Sequence, residues 1–317
     1  VRALITGAGG FAGSHLVSFV ERETDWEILG TVYPDLVEDG HPRPRVRLQN
    51  VDLRGPGAAA DLVAGFKPDF IFHLAAQSFV PSSFGDAWDT LENNIRSQLN
   101  LLEAARALES SARVIVIGSN EEYGRPEPAD LPFTEETPLR PANPYAVSKV
   151  AQDLLGLQYH VAYEVDVVRL RPFNHTGPGQ SPRFVVPAFA SQIASIERGE
   201  QEAVIRVGNL DASRDFSDVR DIVRAYYLAA TKGASGEVYN LCSGEPRSIR
   251  ALLDQLLSMA QVDIKVEVDP ERFRPLDVPV AYGSAEKFRS LTGWRPAIPF
   301  EQTLADVLEF WRGQPGG

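Results

Sequence analysis

The first apolar run of the chain, VRALITG (residues 1–7), passes without a break into TGAGGFAGSHL (6–16). A strand that ends in glycines and opens straight into a helix leaves few architectures available. Two registers fit: Gly7, Gly10 and Gly13 give G-x-x-G-x-x-G, whereas Gly7, Gly9 and Ala12 give G-x-G-x-x-A. In either register the chain turns tightly off the strand. Small residues then let backbone amides at the helix N-terminus come close to a pyrophosphate. The motif stands where a dinucleotide fingerprint must stand, after the first strand and at the start of the first helix.

The rest of the first half keeps that rhythm. Short β-branched runs recur at WEILGTVY (26–33), VRLQNVD (46–52), DFIFHLA (69–75), RVIVIGS (113–119) and EVDVVRLRPF (164–173), with helical stretches between them. Strands apolar on both faces and separated by helices imply a parallel sheet covered on both sides. The expected fold is therefore α/β, a doubly wound Rossmann sheet. The helical pattern of 87–109 puts Leu91, Ile95, Leu99 and Leu102 on one face, and that of 145–162 does the same with Val150, Leu154, Leu157 and Val161. Both faces are expected to pack on the sheet or on a second copy. After about residue 172 proline and glycine thicken (RPFNHTGPGQSPRF) and the segments shorten. The chain has 317 residues, enough for a second, smaller lobe. The boundaries expected are 1–171 plus about 215–243 for the dinucleotide-binding domain, and about 172–214 plus 244–317 for the lobe. VYNLCSG (238–244) is expected to return to the sheet.

Composition excludes several classes of function. The formal net charge of −12 with no basic run argues against nucleic acid and anionic membranes. A few local arginines could still hold a small phosphorylated ligand. No segment approaches the ~20 apolar residues of a membrane span, and the start does not read as a signal peptide. Cys242 is the single cysteine, so no internal disulfide can form, and a cytoplasmic location is expected. No metal site is expected.

NPYAVSK (143–149) sets Tyr145 one helical turn before Lys149. Asn143 suits the helix cap and Pro144 the first helical position. A free phenol ionises near pH 10 and is a poor proton carrier at neutrality. Lowering that value by about three units requires roughly 4 kcal/mol of preferential stabilisation of the phenolate. A neighbouring ammonium and the positive ring of an oxidised nicotinamide can supply it. Asp52, at the end of the third strand, would then lie near the adenine.

Taken together, TGAGGFAG, FHLAAQS, GSNEEYG and YAVSK resemble the extended short-chain dehydrogenase/reductase family over essentially the whole chain. The resemblance implies an NAD(P)(H) cofactor held by Gly7, Gly10, Phe11, Gly13, Asp52, Leu53, Leu74, Ala75, Ala76, Tyr145 and Lys149. It implies Ser119 as the hydroxyl bonded to the reacting oxygen, Tyr145 as acid/base, and Lys149 as the partner that lowers the phenol's pKa. Asn94 would belong to the substrate region. RPFNHTGPGQ (171–180), NLDASRDFSDVRD (209–221) and RFRPLDVP (272–279) are similar to the GDP-sugar branch of the family. This likeness places Arg214 and Arg274, whose forks suit a diphosphate, together with Asn174 and Asp277, around a GDP-linked 6-deoxy-4-keto-hexose. The implied reaction is reduction of the C4 ketone to GDP-D-rhamnose. The alternatives are 4,6-dehydration of GDP-mannose, another nucleotide-sugar epimerase or dehydratase, or a catalytically silent binding protein of the same fold.

Glu121 stands where a dehydratase keeps the base that takes the C5 proton, but reductases of the branch can carry glutamate there too. Two departures favour reduction. The stretch after the second strand, YPDLVEDGHPRPR (33–45), lacks the arginine-rich clamp of the dehydratases, and FNHTGPG replaces their FNHESP. Thr31 and Tyr33 offer neither an acid for the ribose hydroxyls nor a cation for a 2′-phosphate, and Asp35 lies further along. Arg43 and Arg45 could fold back. The reading leans to NAD without excluding NADP. The resemblance also implies a homodimer, built by pairing the two long helices across a two-fold axis.

Overall fold

The computed structural model describes residues 1–33, 44–107, 112–269 and 278–315. The chain opens with β1 (Arg2–Thr6), α1 (Phe11–Glu23), β2 (Glu27–Val32) and β3 (Val46–Asn50). Next come α2 (Ala58–Phe66), β4 (Phe70–His73), a short α3 (Val80–Gly85), the long α4 (Ala87–Ala107) and β5 (Arg113–Ile117). α5 (Pro144–Tyr163) and β6 (Val167–Pro172) follow. Then come β7 (Asn174–Thr176), α6 (Val185–Glu197), β8 (Val204–Val207), β9 (Ser213–Asp218), α7 (Val219–Lys232) and β10 (Val238–Leu241). β11 (Pro246–Ser248), α8 (Ile249–Ser258), β12 (Lys265–Val268), β13 (Val280–Ala281), α9 (Glu286–Thr292) and α10 (Phe300–Arg312) complete the described elements.

Seven strands form one parallel sheet in the order β10-β6-β5-β4-β1-β2-β3. The order reverses between β1 and β4, the switch point at which doubly wound sheets bind ligands. As expected, 238–241 returns to this sheet as β10, in register with β6 from Val238↔Arg169 to Leu241↔Pro172. One face packs under α1 and α7, with Leu16, Val20, Ile222 and Tyr226 in its core. The other packs under α2, α4 and α5, through Leu62, Phe66, Leu101, Leu102 and Tyr159.

A second core lies among α6, α8 and α10, where Phe189, Ile193, Leu252, Leu256, Leu304 and Val307 meet. Two small sheets accompany it, β11-β9-β13 with β7 beside β9, and β12-β8. The expected boundaries shift in two places. β9 belongs to the small sheet, so the return to the large domain begins with α7 at Val219 rather than near 215. Phe288 of α9 and the following Trp294, expected in the lobe, are buried in the core beneath the large sheet.

The two long helices depart from the sequence pattern. The buried face of α4 is Thr90, Asn94, Ser97, Gln98, Leu101, Leu102, Ala104 and Ala105, so of the expected stripe only Leu102 is buried. On α5 the buried residues include Tyr145, Ser148, Lys149, Gln152, Asp153 and Tyr159, while Leu154 and Val161 are exposed. These polar faces are turned to each other because they satisfy each other. Gln98 Nε2 donates to Gln152 O at 2.6 Å, Gln152 Nε2 to Asn94 O at 2.9 Å, and Asn94 Nδ2 to Ser148 Oγ at 2.9 Å. The three amide nitrogens are thus partnered, whereas the buried Oε1 atoms of Gln98 and Gln152 have no hydrogen-bond partner among the described residues.

Candidate active site

The glycine turn closes in the Gly7/Gly10/Gly13 register. Gly7 has φ +68°, and a Cβ there would lie 2.8 Å from Ala75 N; one on Gly13 would lie 2.1 Å from Gly7 O. A Cβ on Gly9 would meet only the Val32 side chain, at 3.0 Å. The helical ladder of α1 starts with Ser14 N donating to Gly10 O at 2.9 Å, so the amides of Phe11, Ala12 and Gly13 precede it. A cleft of about 590 Å³ runs along the C-terminal ends of β1 to β4, with Gly7, Gly9 and Gly10 of the turn in its walls beside Asp52, Leu53, Leu74, Ala75 and Ala76. Glycines that a side chain would close off, at the N-terminus of a helix, fit the pyrophosphate of a dinucleotide.

The Phe11 ring stacks on His175 (centroids 6.2 Å, 10° between planes) and meets His15 edge-on. It thereby joins the glycine turn to the FNHTGPG loop. Arg45 does not fold back towards the cleft, since its guanidinium is held by the carbonyls of Glu21 and Thr24 at the end of α1. Asp35 and Arg43 lie outside the described residues. The cationic group at the cleft is Arg54, which the sequence reading did not single out. It grips the Asp52 carboxylate at 2.9 Å, holding that acid below its usual range, and spreads over the Tyr33 ring at 5.5 Å.

The catalytic candidates converge at the end of β5. Ser119 caps a 3₁₀ turn over Asn120–Tyr123, its Oγ accepting from Glu121 N at 3.2 Å. Tyr145 and Lys149 lie one turn apart on α5, and both are buried. The Tyr145 phenol is hydrogen-bonded to Ser119, yet burial dominates and pushes its pKa up. Lys149 Nζ donates to Ile117 O at 2.8 Å and sits 5.9 Å from the Tyr145 ring centroid. Burial lowers its pKa to about 8, with Glu122 opposing. In the free protein it is Ser119, not Lys149, that opposes the desolvation of the phenol.

Asn94 also moves from its expected place. It is wholly buried, Oδ1 accepting from Gln77 N at 2.8 Å and Nδ2 donating to Gln77 O at 3.1 Å and to Ser148 Oγ. Every proton of that amide is spent inside the protein, so Asn94 sets the AAQ loop against α4 and α5 rather than facing substrate. Glu121 is half-buried, and its Oε2 takes a hydrogen bond from Asn143 Nδ2 at 2.9 Å. Asn143 caps α5 with its other end, Oδ1 accepting from Ala146 N at 2.8 Å.

On the lobe side, Asn174 lies on β7 and Arg214 on β9, joined through the pairing of those strands. Arg214 Nη1 donates to Ser213 O at 2.8 Å. Arg274 and Asp277 lie outside the described residues. A second hollow of about 540 Å³ opens between α6 and β8, lined by Ala188, Gln192, Val204 and Arg206 among others; no sequence signal marks it. Among the described residues there is no cluster of three or more metal-ligating side chains, and no helix is long and apolar enough to cross a membrane.

A family model described as GDP-mannose 4,6 dehydratase matches residues 4–307. The chain is 38% identical to GDP-6-deoxy-D-mannose reductase of Pseudomonas aeruginosa, across 99% of this chain and 98% of that protein. It is 30% identical to GDP-mannose 4,6 dehydratase 1 of Arabidopsis thaliana, over 97% and 88%. The structure of RMD from Pseudomonas aeruginosa complexed with NADPH superposes with a TM-score of 0.86 at 37% identity, covering 98% of each chain. That of Thermus thermophilus UDP-glucose 4-epimerase in complex with NAD gives 0.85 at 28%, covering 99% of each. With a family model matched over residues 4–307 and a 38% identical relative covered nearly end to end, the chain belongs to the GDP-mannose 4,6-dehydratase family within the extended short-chain dehydrogenases/reductases.

Proposed function

We propose that the protein is an NAD(P)H-dependent reductase that converts GDP-4-keto-6-deoxy-D-mannose to GDP-D-rhamnose. The observation that carries this reading is the end-to-end likeness to a GDP-6-deoxy-D-mannose reductase, 38% identical, combined with a buried phenol, Tyr145, one helical turn before a buried Lys149. NAD(P)H bound in the dinucleotide cleft supplies the hydride for C4. Gly7, Gly10 and Gly13 with the first amides of α1 hold the pyrophosphate, and Asp52, Leu53, Leu74, Ala75 and Ala76 line the adenosine end. Tyr145, kept protonated by burial, gives its proton to the C4 oxygen. Ser119 hydrogen-bonds the same oxygen and orients the phenol. Lys149 replenishes positive potential beside it and reaches the ribose. Arg214, Asn174, Arg274 and Asp277 hold the GDP-sugar, on the side of the lobe to which about 173–218, 244–269, 278–283 and 295–315 contribute.

Dehydration of GDP-mannose is the second reading, favoured by the Glu121 carboxylate beside the site and by the name of the family model. One assay separates them. Incubation with the keto sugar and NAD(P)H consumes nicotinamide absorbance if the protein is a reductase. Conversion of GDP-mannose to a keto sugar without net cofactor consumption would overturn that reading.

The working form is a homodimer, paired through the outer faces of α4 and α5. Support comes from the apolar stripe those helices leave outside, with Leu99, Val147, Leu154 and Val161 exposed by 37, 44, 50 and 73%.

A further inference from the structure

The turn that carries Ser119 and the helix that carries Tyr145 are linked by a line of charges with almost no exposure. Glu122 is wholly buried; its Oε1 accepts from Ser119 N at 2.7 Å, and its Oε2 lies 3.1 Å from Arg171 Nε. The same Arg171 Nε lies 2.9 Å from Asp153 Oδ2, and Asp153 Oδ1 accepts from Arg169 Nη1 at 2.5 Å. Arg169, Arg171, Asp153 and Glu122 have side chains exposed by 8, 5, 1 and 0%. Asp153 stands on α5 one turn beyond Lys149 and two beyond Tyr145. The seat is shaped for a carboxylate, because a Cβ on Gly118 would lie 2.2 Å from Glu122 Oε1.

A buried ion network is a poor way to gain stability, since apolar residues of the same volume serve as well or better. What it does supply is direction: Glu122 Oε1 is tied to the Ser119 turn, both Asp153 oxygens are tied to arginines of β6, and Glu122 Oε2 faces the same Arg171 as an ion pair without a hydrogen bond of its own. We propose that Glu122 is a positioning residue, holding the Ser119 turn at a fixed distance from Tyr145 through Arg171 and Asp153, so that hydroxyl and phenol converge on one substrate oxygen. Glu122 touches neither substrate nor cofactor in this role. Burial and the neighbouring Asp153 push its carboxyl pKa up, and Arg171 opposes them. The substrate side of the inference rests on the reductase reading above.

Three variants test it in the intact chain. Glu122→Leu removes both contacts, and Asp153→Asn weakens the far end of the line while leaving the partner of Ser119 in place. A misplacement of about 1 Å at a reacting centre can cost on the order of a hundredfold. Glu122→Leu should therefore lower kcat by about that factor, with KM for the keto sugar and for NADPH within about threefold of the parent, the pattern of an interaction lost only in the transition state. Asp153→Asn should lower kcat by about tenfold with the same unchanged KM values, and Glu122→Gln, which keeps an acceptor for Ser119 N, should recover most of the loss. Parent-like kcat in Asp153→Asn overturns the proposal, and so does a Glu122→Gln variant as slow as Glu122→Leu. If Glu122→Leu does not fold, the other two variants decide. Amide exchange at Ser119 in the NADPH complex reads the link without any sugar: faster exchange in Asp153→Asn supports it, and exchange as in the parent overturns it. A parent that reduces no GDP-linked keto sugar refutes the reductase reading, and the exchange measurement then decides the positioning claim.

Discussion

Asn143 holds Glu121 by one end of its amide and caps α5 by the other, at 2.9 Å to Glu121 Oε2 and 2.8 Å from Ala146 N. The carboxylate that distinguishes the two readings of the site is therefore fixed to the helix that carries Tyr145. A base that must swing to take a C5 proton would have to release this bond. A carboxylate that only orders the loop or hydrogen-bonds the sugar keeps it. In a reductase no C–H proton is removed, so Glu121→Gln should slow ketone reduction by about tenfold or less, the range of a neutral hydrogen bond at 0.5–1.5 kcal/mol. The parent should dehydrate GDP-mannose little or not at all. Rapid GDP-mannose turnover that vanishes in Glu121→Gln would reverse the assignment.

The cap itself is separable from the chemistry. Asn143→Ala removes the side-chain acceptor at the start of α5 and should cost about 1 kcal/mol of stability. Urea unfolding of the variant beside the parent measures it. A midpoint equal to the parent's would mean that other contacts already fix that end of the helix.

Tyr145→Phe keeps the buried ring and removes only the hydroxyl shared with Ser119. General acid catalysis contributes about 10²–10⁴-fold, so kcat should fall by that much while NADPH binding, followed by fluorescence, stays close to the parent. A variant within about threefold of the parent rate would take the acid role away from this residue.

Lys149 gives a pH signature. Its pKa falls from 10.5 to about 8 on folding, because burial disfavours the ammonium more than Glu122 favours it. Below about pH 8 both states are protonated and the folded protein bears the cost of the buried charge. Between about 8 and 10.5 the unfolded chain holds a proton that the folded one has released, so the stability tied to this group rises with pH. Lys149→Met bears no such cost. The stability of the variant relative to the parent should therefore decline across that window, as measured by denaturant unfolding at neutral and alkaline pH. A difference that does not change with pH would mean that Lys149 is solvated more than its burial implies.

Much of the large domain was legible because most of its strands are apolar and buried, the edge strand β3 excepted, and the glycine turn sits at the first strand–helix junction. The two glycine registers could not be separated in sequence; the close approach of Gly13 to Gly7 O separates them. The apolar stripes of α4 and α5 pointed the wrong way for a physical reason. Hydrophobic periodicity finds the buried face of a helix only when burial is apolar; these helices bury amides against each other, and α5 turns Lys149 and Asp153 to β5 and β6. The same masking hid the real position of Asn94, a polar residue that reads as solvent- or substrate-facing until Gln77 and Ser148 are seen to use its whole amide. Glu122 left no trace either, since it sits beside Glu121 in GSNEEYG and only the fold turns one inward to Arg171 and leaves the other near Asn143.

Those inverted stripes carry the last expectation. Leu99 and Leu154 are exposed by 37 and 50%, although they belong to the most apolar runs of their helices. Each leucine, already partly out of water, would gain on the order of 0.5–1.5 kcal/mol from full burial. Paired helices from a second copy would cover both at once, and a two-fold axis brings the same patch onto itself. Light scattering at micromolar concentration should give a mass of about twice the 34.8 kDa chain. The double variant Leu99→Lys, Leu154→Lys introduces like charges where the two copies would meet, and should shift that mass towards the monomer while the protein stays folded. A parent that scatters as a 34.8 kDa particle would refute the pairing. A double variant that remains dimeric would mean that the copies meet through another face.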